Sequence, residues 1–229
     1  MLYSNDKELF SLLKTRLYTS VIGDILDQMG YFHQFLPPQV RPLRDDMVIA
    51  GRSMPVLEAD VTGFITEKAH NRLLEQNFGM MLEALDSIEE DEVYICPSSS
   101  MHYALIGEIM CTRMKIRKAA GSVVNGYHRD TRGILALDMP VFSRGAYAQD
   151  QGPRGKVLDY RVPVEADGVR INPGDIVFGD IDGVVIIPKQ VEAEVIEKAY
   201  EKATGENFVA EKIRDGLSAV QSWARYKIM

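Results

Sequence analysis

The spacing of the apolar runs after Val141 constrains this chain more than any other feature. The runs near Val141 and at Val162–Val164, Val169–Ile171, Ile176–Phe178 and Val184–Ile187 are each a few residues long, separated by Gly, Pro or Asp. A run that short cannot supply the buried stripe of a helix, whereas β-branched residues between turn formers suit strands joined by tight turns. The segment Gly179–Asp180–Ile181–Asp182–Gly183 belongs to the same pattern. Its acids invite a metal-binding reading, but a tight turn between two strands accounts for them better.

The first half of the chain follows a different period. Leu9, Leu12, Leu13 and Leu17 recur at helical spacing. A second helix is expected from Thr19 or Ser20, either of which can cap it, burying Ile22, Ile25, Leu26 and Met29 before Gly30 stops it. A loop follows around Leu36–Pro42. Val48–Ala59 reads as a strand interrupted near Pro55, and Asn71–Ser87 as an amphipathic helix. Glu92–Cys96 is a short strand ended by Pro97, and Ser98–Ser100 a polar loop. A helix from about Gly107 to Lys118, a buried strand at Gly121–Asn125, and two or three helices from about Lys189 complete the reading.

Helices followed by a cluster of short strands predict an α/β chain with layered packing and a mixed sheet rather than regular βαβ alternation. With 229 residues, 46% of them hydrophobic, one core and one compact domain are expected. Within it, N-terminal helices would occupy about 1–45, the core about 46–188 and a C-terminal helical extension about 189–229. The apolar face of Val191, Val195, Ile196 and Ala199 reads as packing.

Several function classes drop out. GVVIIP at Gly183–Pro188 is far too short to cross a bilayer, and MLYSNDKELF lacks an apolar signal core, so a cytoplasmic protein without a membrane partner is expected. Cys96 and Cys111 lack the number for a disulfide framework and the spacing for a metal site, and are expected as buried thiols. A formal charge of −7 argues against direct nucleic-acid binding. Neither GxGxxG nor GxxxxGK[ST] occurs, which removes the usual dinucleotide and nucleoside-triphosphate readings.

The block with most chemistry runs from Gly107–Glu108–Ile109–Met110 to Ala119–Asp130. It reads as a helix start, a helix, a Gly turn, a buried strand and a polar loop. The helix start offers N–H groups able to receive a carboxylate. The loop presents Arg129 and Asp130 side by side, and adjacent side chains generally point apart, so one can face an anionic substrate while the other holds a metal. Ordinary surface ion pairing explains the same dipeptide, and a first-turn Glu108 is favoured by the helix dipole alone. His102 and His128, near this block, are expected in hydrogen-bonding or exposed roles.

GSVVNGYHRD, the Pro140–Gly145 stretch PVFSRG, Pro163–Val164, the Gly168–Val169 turn and NPGDIVFGDIDGVVIIP together resemble the RraA-like family. That family includes 4-hydroxy-4-methyl-2-oxoglutarate aldolases and regulators of ribonuclease activity. The match covers about Gly107–Pro188, with looser likeness in TSVIGDILDQMG and the strand from Ile49. The resemblance implies a β/β/α swivelling-domain-like fold with flanking helices, assembled as a homotrimer or hexamer. It implies Asp130 as direct ligand of Mg²⁺ or another divalent cation such as Mn²⁺. Arg129 would stabilise an enolate, and the amides of Gly107, Glu108, Ile109 and Met110 would bind the carboxylate of a 2-keto-acid. Glu108 would act as a proton relay, although the aldolases commonly carry an acid and two leucines where this chain has Glu108–Ile109–Met110. Glu206 would reach a neighbour's metal through water. The implied activity is class II pyruvate aldolase with oxaloacetate decarboxylation. The alternative is a non-catalytic regulator that binds an RNA-degrading enzyme. The long helical extension past Pro188 favours the enzyme, because the family's compact regulators tend to lack it.

Overall fold

The computed structural model describes residues 2–61, 69–97 and 100–228. Ser98 and Ser99 of the expected polar loop lie outside the described residues. Two helices, α1 (Asp6–Arg16) and α2 (Thr19–Gln28), precede β1 (Arg41–Pro42) and the long β2 (Ile49–Asp60). Next come α3 (Met81–Ser87), β3 (Glu92–Cys96), β4 (Ala104–Ile106), α4 (Glu108–Ile116), β5 (Gly121–Val124), β6 (Tyr127–His128) and α5 (Thr131–Ala136). The strand-rich part comprises β7 (Val141–Ser143), β8 (Gly155–Tyr160), β9 (Val164–Ala166), β10 (Val169–Ile171), β11 (Ile176–Asp180) and β12 (Gly183–Ile187). Helices α6 (Glu192–Arg214) and α7 (Ala219–Tyr226) close the chain.

The main sheet has the order β1-β7-β5-β3-β2-β11-β12, with β8 added on β2. Strands β2, β3, β5 and β7 run parallel, while β11 and β12 run antiparallel, giving the mixed sheet expected. The sheet bends almost shut: Arg41 on β1 donates from Nη1 to the Ile181 carbonyl of the β11–β12 turn at 2.6 Å. Its strands are apolar on both faces because both are covered. Along β12, Val184 and Ile186 join an inner cluster with Val93, Ile95 and Phe142, whereas Val185 and Ile187 pack outward on α1, α2 and α6 through Leu13, Ile22 and Ile196. On β3 the outward residues Tyr94 and Cys96 pack instead among residues of α3 and α4. A period of two thus sorts one strand's residues into different cores.

The turns behave as their residues require. Asp167 and Gly168 both take positive φ (48° and 87°) and join β9 to β10 as a two-residue hairpin. Asp180 pairs with Gly183 across the β11–β12 turn, and its carboxylate accepts from the Thr19 backbone N–H at 2.8 Å and the Thr19 hydroxyl at 2.7 Å. This corrects the expected cap. Tyr18, not Thr19 or Ser20, occupies the cap position without a side-chain bond, and an acid from a distant turn serves the helix start instead.

Two further expectations fail for reasons outside local sequence. β2 is not interrupted at Pro55: the strand pairs with β3 as far as Pro55–Ile95 and with β8 from Val56–Tyr160. The residue without an N–H sits where the strand changes partner. The helix expected over Asn71–Ser87 is split into a 3₁₀ turn at Arg72–Glu75 and α3. Between them Gly79 has φ 59° and lies so close to the Val157 carbonyl that a Cβ has no room.

Candidate active site

Two short parallel strands build the site. β4 pairs with β6, Ala104 opposite Tyr127 and Ile106 opposite His128, and Arg129 N donates to the Ile106 carbonyl at 2.9 Å. Each strand then turns directly into a helix: β4 through Gly107 into α4, and β6 through Arg129 and Asp130 into α5. Pairing the strands therefore brings the start of α4 against the Arg-Asp pair. The approach is close enough that a Cβ on Gly107 would meet Asp130 Oδ2 at 2.7 Å and Arg129 Cγ at 3.3 Å. A side chain there would push the Asp130 carboxylate from its place.

Asp130 has left-handed backbone (φ 59°, ψ 36°), a conformation aspartate tolerates better than most residues. That twist corrects the expectation that the Arg129 and Asp130 side chains diverge. Asp130 Oδ2 turns back onto α4, accepting from Glu108 N at 3.3 Å and lying 3.6 Å from Arg129 Nε. Arg129 extends past it to Asp150, Nη1 to Oδ1 2.8 Å. Both side chains stay partly open to solvent, at 39% for Arg129 and 44% for Asp130.

In front of this group lies a cavity of about 230 Å³. Gly107, Arg129, Asp130, Asp150 and Gln151 give it one polar side, and the start of α4 contributes Ile109 and Met110. Phe78, Met81, Leu82 and Leu85 line it from α3 and the turn before it. Five of the expected residues, Gly107, Ile109, Met110, Arg129 and Asp130, thus meet at one pocket. The Glu108 backbone joins them, but its carboxylate packs against Gly133 of α5 and does not line the cavity. Glu206 lies on α6 against α2, accepting from the Tyr18 hydroxyl, with Lys202 Nζ 3.6 Å away.

His128 does what was expected of it. Its ring is buried between the Ser143 hydroxyl (Nδ1, 2.7 Å) and the Thr131 hydroxyl (Nε2, 2.9 Å), and burial holds its pKa below the ordinary histidine value. It fastens β6 to β7 and to the first residue of α5. His102 is exposed. Cys111 is a buried thiol pushed up to about 12 by desolvation, which leaves it protonated and inert.

Sequence reasoning missed Asp150 and Gln151, which arrive from the loop between β7 and β8. The only local signal was a run of polar residues, Gln149–Gln151, between apolar segments. It also missed Glu58, which stands behind Gln151 and accepts from its amide at 3.0 Å. Burial pushes the Glu58 carboxyl up to about 7, against hydrogen bonds that pull it down.

The implied Mg²⁺ can be tested against these donors. Among the described residues no group of three His, Cys, Asp or Glu side chains gathers to enclose a metal. Mg²⁺ does not need one: it keeps much of its water and takes one or two carboxylates. A half-exposed Asp130 beside an open cavity supplies that kind of oxygen donor, so the residues present fit the ion.

A family-level profile described as RraA-like, Aldolase/RraA, matches residues 19–186. A protein of Halalkalibacterium halodurans, provisionally named a 4-hydroxy-4-methyl-2-oxoglutarate aldolase, is 28% identical over 90% of this chain and 89% of its own length. A solved structure titled as novel cellulases from microbes associated with the gut ecosystem has a TM-score of 0.79. It is 28% identical and covers 90% of this chain and 89% of that one. Streptomyces coelicolor RraAS2, titled an unusual member of the RNase ES inhibitor RraA protein family, is alike in fold at TM-score 0.78. It is 21% identical and covers 91% of this chain and all of that one. The names differ while the two solved structures share the fold, so the site must carry the functional argument.

Proposed function

Because this chain belongs to the RraA-like family, we propose that it is a divalent-metal-dependent lyase that cleaves a 4-hydroxy-2-keto-acid into pyruvate and a second carbonyl compound. The observation that carries this reading is the convergence, at one small cavity, of a helix start, a solvent-open arginine and an aspartate.

The substrate carboxylate faces the first amides of α4. Those of Ile109 and Met110 receive it, since the Glu108 amide already serves Asp130. Asp130 holds the cation, and when bound that ion polarises the keto oxygen as a Lewis acid. Cleavage removes the C4 hydroxyl proton and breaks the C3–C4 bond, whose electron pair moves toward C2 and its oxygen as an enolate. A proton then returns at C3 to give pyruvate. Arg129 aims its guanidinium at the charge that grows on the keto oxygen, so it stabilises the enolate more than the ketone. Asp150, the other carboxylate lining the cavity among the described residues, takes the hydroxyl proton. The relay implied for Glu108 gains nothing from the position of its side chain. Oxaloacetate decarboxylation passes through the same enolate and is the expected side activity.

We further propose a trimer or a dimer of trimers, in which Glu206 approaches a neighbour's cation through water. To do so it must exchange the Tyr18 hydroxyl it accepts from in its own chain. Glycoside hydrolysis finds less support. It needs a carboxyl kept protonated by an apolar setting, and Asp130 and Asp150 are 44% and 48% exposed around one guanidinium.

Pyruvate release, coupled to lactate dehydrogenase and followed with and without Mg²⁺ over a panel of 4-hydroxy-2-keto-acids, tests the reading. Metal-dependent release that is lost in Arg129→Ala supports it. Complete absence of release turns the reading to a protein-binding regulator, whose function needs a surface and not this cavity.

A further inference from the structure

We infer that Gln151, aimed by Glu58, is an outer contact of the divalent cation: its side-chain oxygen accepts a hydrogen bond from water on the ion that Asp130 holds. The inference rests on the cation reading above and adds to it two residues that the sequence did not single out.

Gln151 is 5% exposed, yet it lines the cavity together with Asp130 and Asp150. A turn fixes its backbone, whose carbonyl accepts from Arg154 N at 2.6 Å and Gly155 N at 2.9 Å. The side chain is fixed as well, Nε2 donating to Glu58 Oε1 at 3.0 Å. Reversing the amide against an ionised Glu58 would set two acceptor oxygens face to face, so the network assigns its direction. Oε1 therefore turns away from Glu58. Among the described residues nothing donates to Oε1, and it is not sealed from solvent. A nearly buried polar group with an open acceptor calls for a ligand or a water at that point.

Glu58 is itself held. Cys96 on β3 donates to its Oε2 at 3.7 Å, and the space beside Oε1 is so full that a Cβ on Gly155 would collide with it. The Tyr103 hydroxyl, which donates to Asp60 at 2.9 Å, closes the same side. An acid fixed in this way can hold the amide in one orientation.

Counting donors identifies what Oε1 meets. The keto-acid brings carboxylate and keto oxygens, which are acceptors, and its C4 hydroxyl proton goes to Asp150. Arg129 is shared by Asp130 and Asp150, and the Ile109 and Met110 amides face the substrate carboxylate. The donors that remain are waters on the cation, most of which Mg²⁺ keeps. Partners of this outer kind typically change metal affinity or activity about 10–100-fold. An amide supplies the acceptor without adding a third carboxylate of this chain to the cavity lining. A neighbour's Glu206, proposed above to approach the same ion, stays unchanged in every comparison below.

The test titrates Mn²⁺ into the full chain without substrate and reads the free ion by electron paramagnetic resonance. It is run on the alkaline side of about 7, where Glu58 is ionised. Asp130→Asn should abolish binding, which identifies the site's own signal. Gln151→Met, similar in length and without an acceptor, should weaken binding about 10–100-fold; Gln151→Leu takes its place if that variant does not fold. Glu58→Leu should weaken binding to a similar extent in the parent and not at all in the Gln151→Met background, because it acts only through the amide. Parent-like binding by Gln151→Met overturns the inference while the cation reading stands. An undiminished effect of Glu58→Leu on top of Gln151→Met overturns the aiming, since Glu58 would then act by packing alone. A parent that binds neither Mn²⁺ nor Mg²⁺ removes the cation reading and this inference with it. No turnover is read, so a failure of the lyase chemistry alone leaves each of these outcomes distinct.

Discussion

Arg52 and Arg129 each stand between two carboxylates, yet their surroundings give them opposite tasks. Arg52, on β2, donates from Nε and Nη2 to both oxygens of Asp6 at 2.8 and 2.6 Å, and from Nη1 to Glu192 at 2.5 Å and the Gly174 carbonyl at 3.2 Å. Its side chain is 18% exposed, and it holds the Asp6 carboxyl below the usual carboxylate range. It ties α1 and the start of α6 to the sheet. Arg129 makes one close ion pair, with Asp150, and a loose one with Asp130, and a cavity lies in front of it. A guanidinium has five N–H donors in a fixed fork. Where the fold uses them all, the arginine is a rivet. Where it leaves donors facing a cavity, the arginine is available to a ligand.

The comparison breaks most sharply at the pocket. Asp130→Asn should lose Mg²⁺-dependent turnover with little change in melting temperature, because asparagine also tolerates the left-handed backbone there. Retained turnover in that variant would remove Asp130 as the cation's ligand. Arg129→Ala should lower pyruvate release by about 10²–10³ while metal binding, followed calorimetrically, persists. Arg129→Lys should be impaired less, since it keeps charge and loses the planar fork.

Arg52→Ala should show the reverse pattern. Its loss leaves Asp6 and Glu192 without their shared partner, costing about 1–3 kcal/mol in urea unfolding, while turnover per folded molecule stays near the parent's. A fall in kcat as large as that of Arg129→Ala would erase the distinction drawn between the two arginines. A smaller effect of the same structural kind is expected at Asp180, whose carboxylate serves the start of α2. Asp180→Ala should cost about 0.5–2 kcal/mol, again without touching kcat.

The smallest effect concerns pH. Burial raises the Glu58 carboxyl from 4.5 to about 7, so the folded chain holds that proton more tightly than the unfolded one. The contribution is full below 4.5 and is lost as pH rises through about 7. Glu58→Gln should therefore flatten the stability–pH profile between those values, measured by urea unfolding at a series of pH values. An unchanged slope would show that Glu58 does not titrate in this range. His128, held below the ordinary histidine value by burial, acts in the other direction. It weakens the fold as pH falls below the unfolded histidine's pKa near 6.5.

Much of this molecule is legible along the chain because its physics is local. The tight turn at Gly179–Gly183, the Asp167–Gly168 hairpin, the leucine spacing of α1 and the start of α4 at Gly107 each follow from a few adjacent residues. The Gly107–Met110 and Arg129–Asp130 segments were also visible as polar punctuation around apolar runs. What no local reading supplies is which of these segments meet. Asp180 caps a helix about 160 residues before it, and Pro55 sits unharmed in β2 because the strand exchanges β3 for β8 at that point. Gly79 breaks an otherwise helical pattern because Val157, from a strand far along the chain, lies against it.

The same holds for the candidate site. Composition, periodicity and motif determined that this is a layered α/β chain and singled out a helix start and an Arg-Asp pair as candidates, to which only the family resemblance attached roles. Only the tertiary structure decided that Asp130 turns toward Arg129 instead of away, that Glu108 lays its carboxylate on Gly133, and that Asp150 and Gln151 complete the cavity. The physical reason is that turn and helix propensities are set by neighbours in sequence. Close approach, burial and the sharing of one guanidinium between two acids are set by which strands pair, as β4 does with β6.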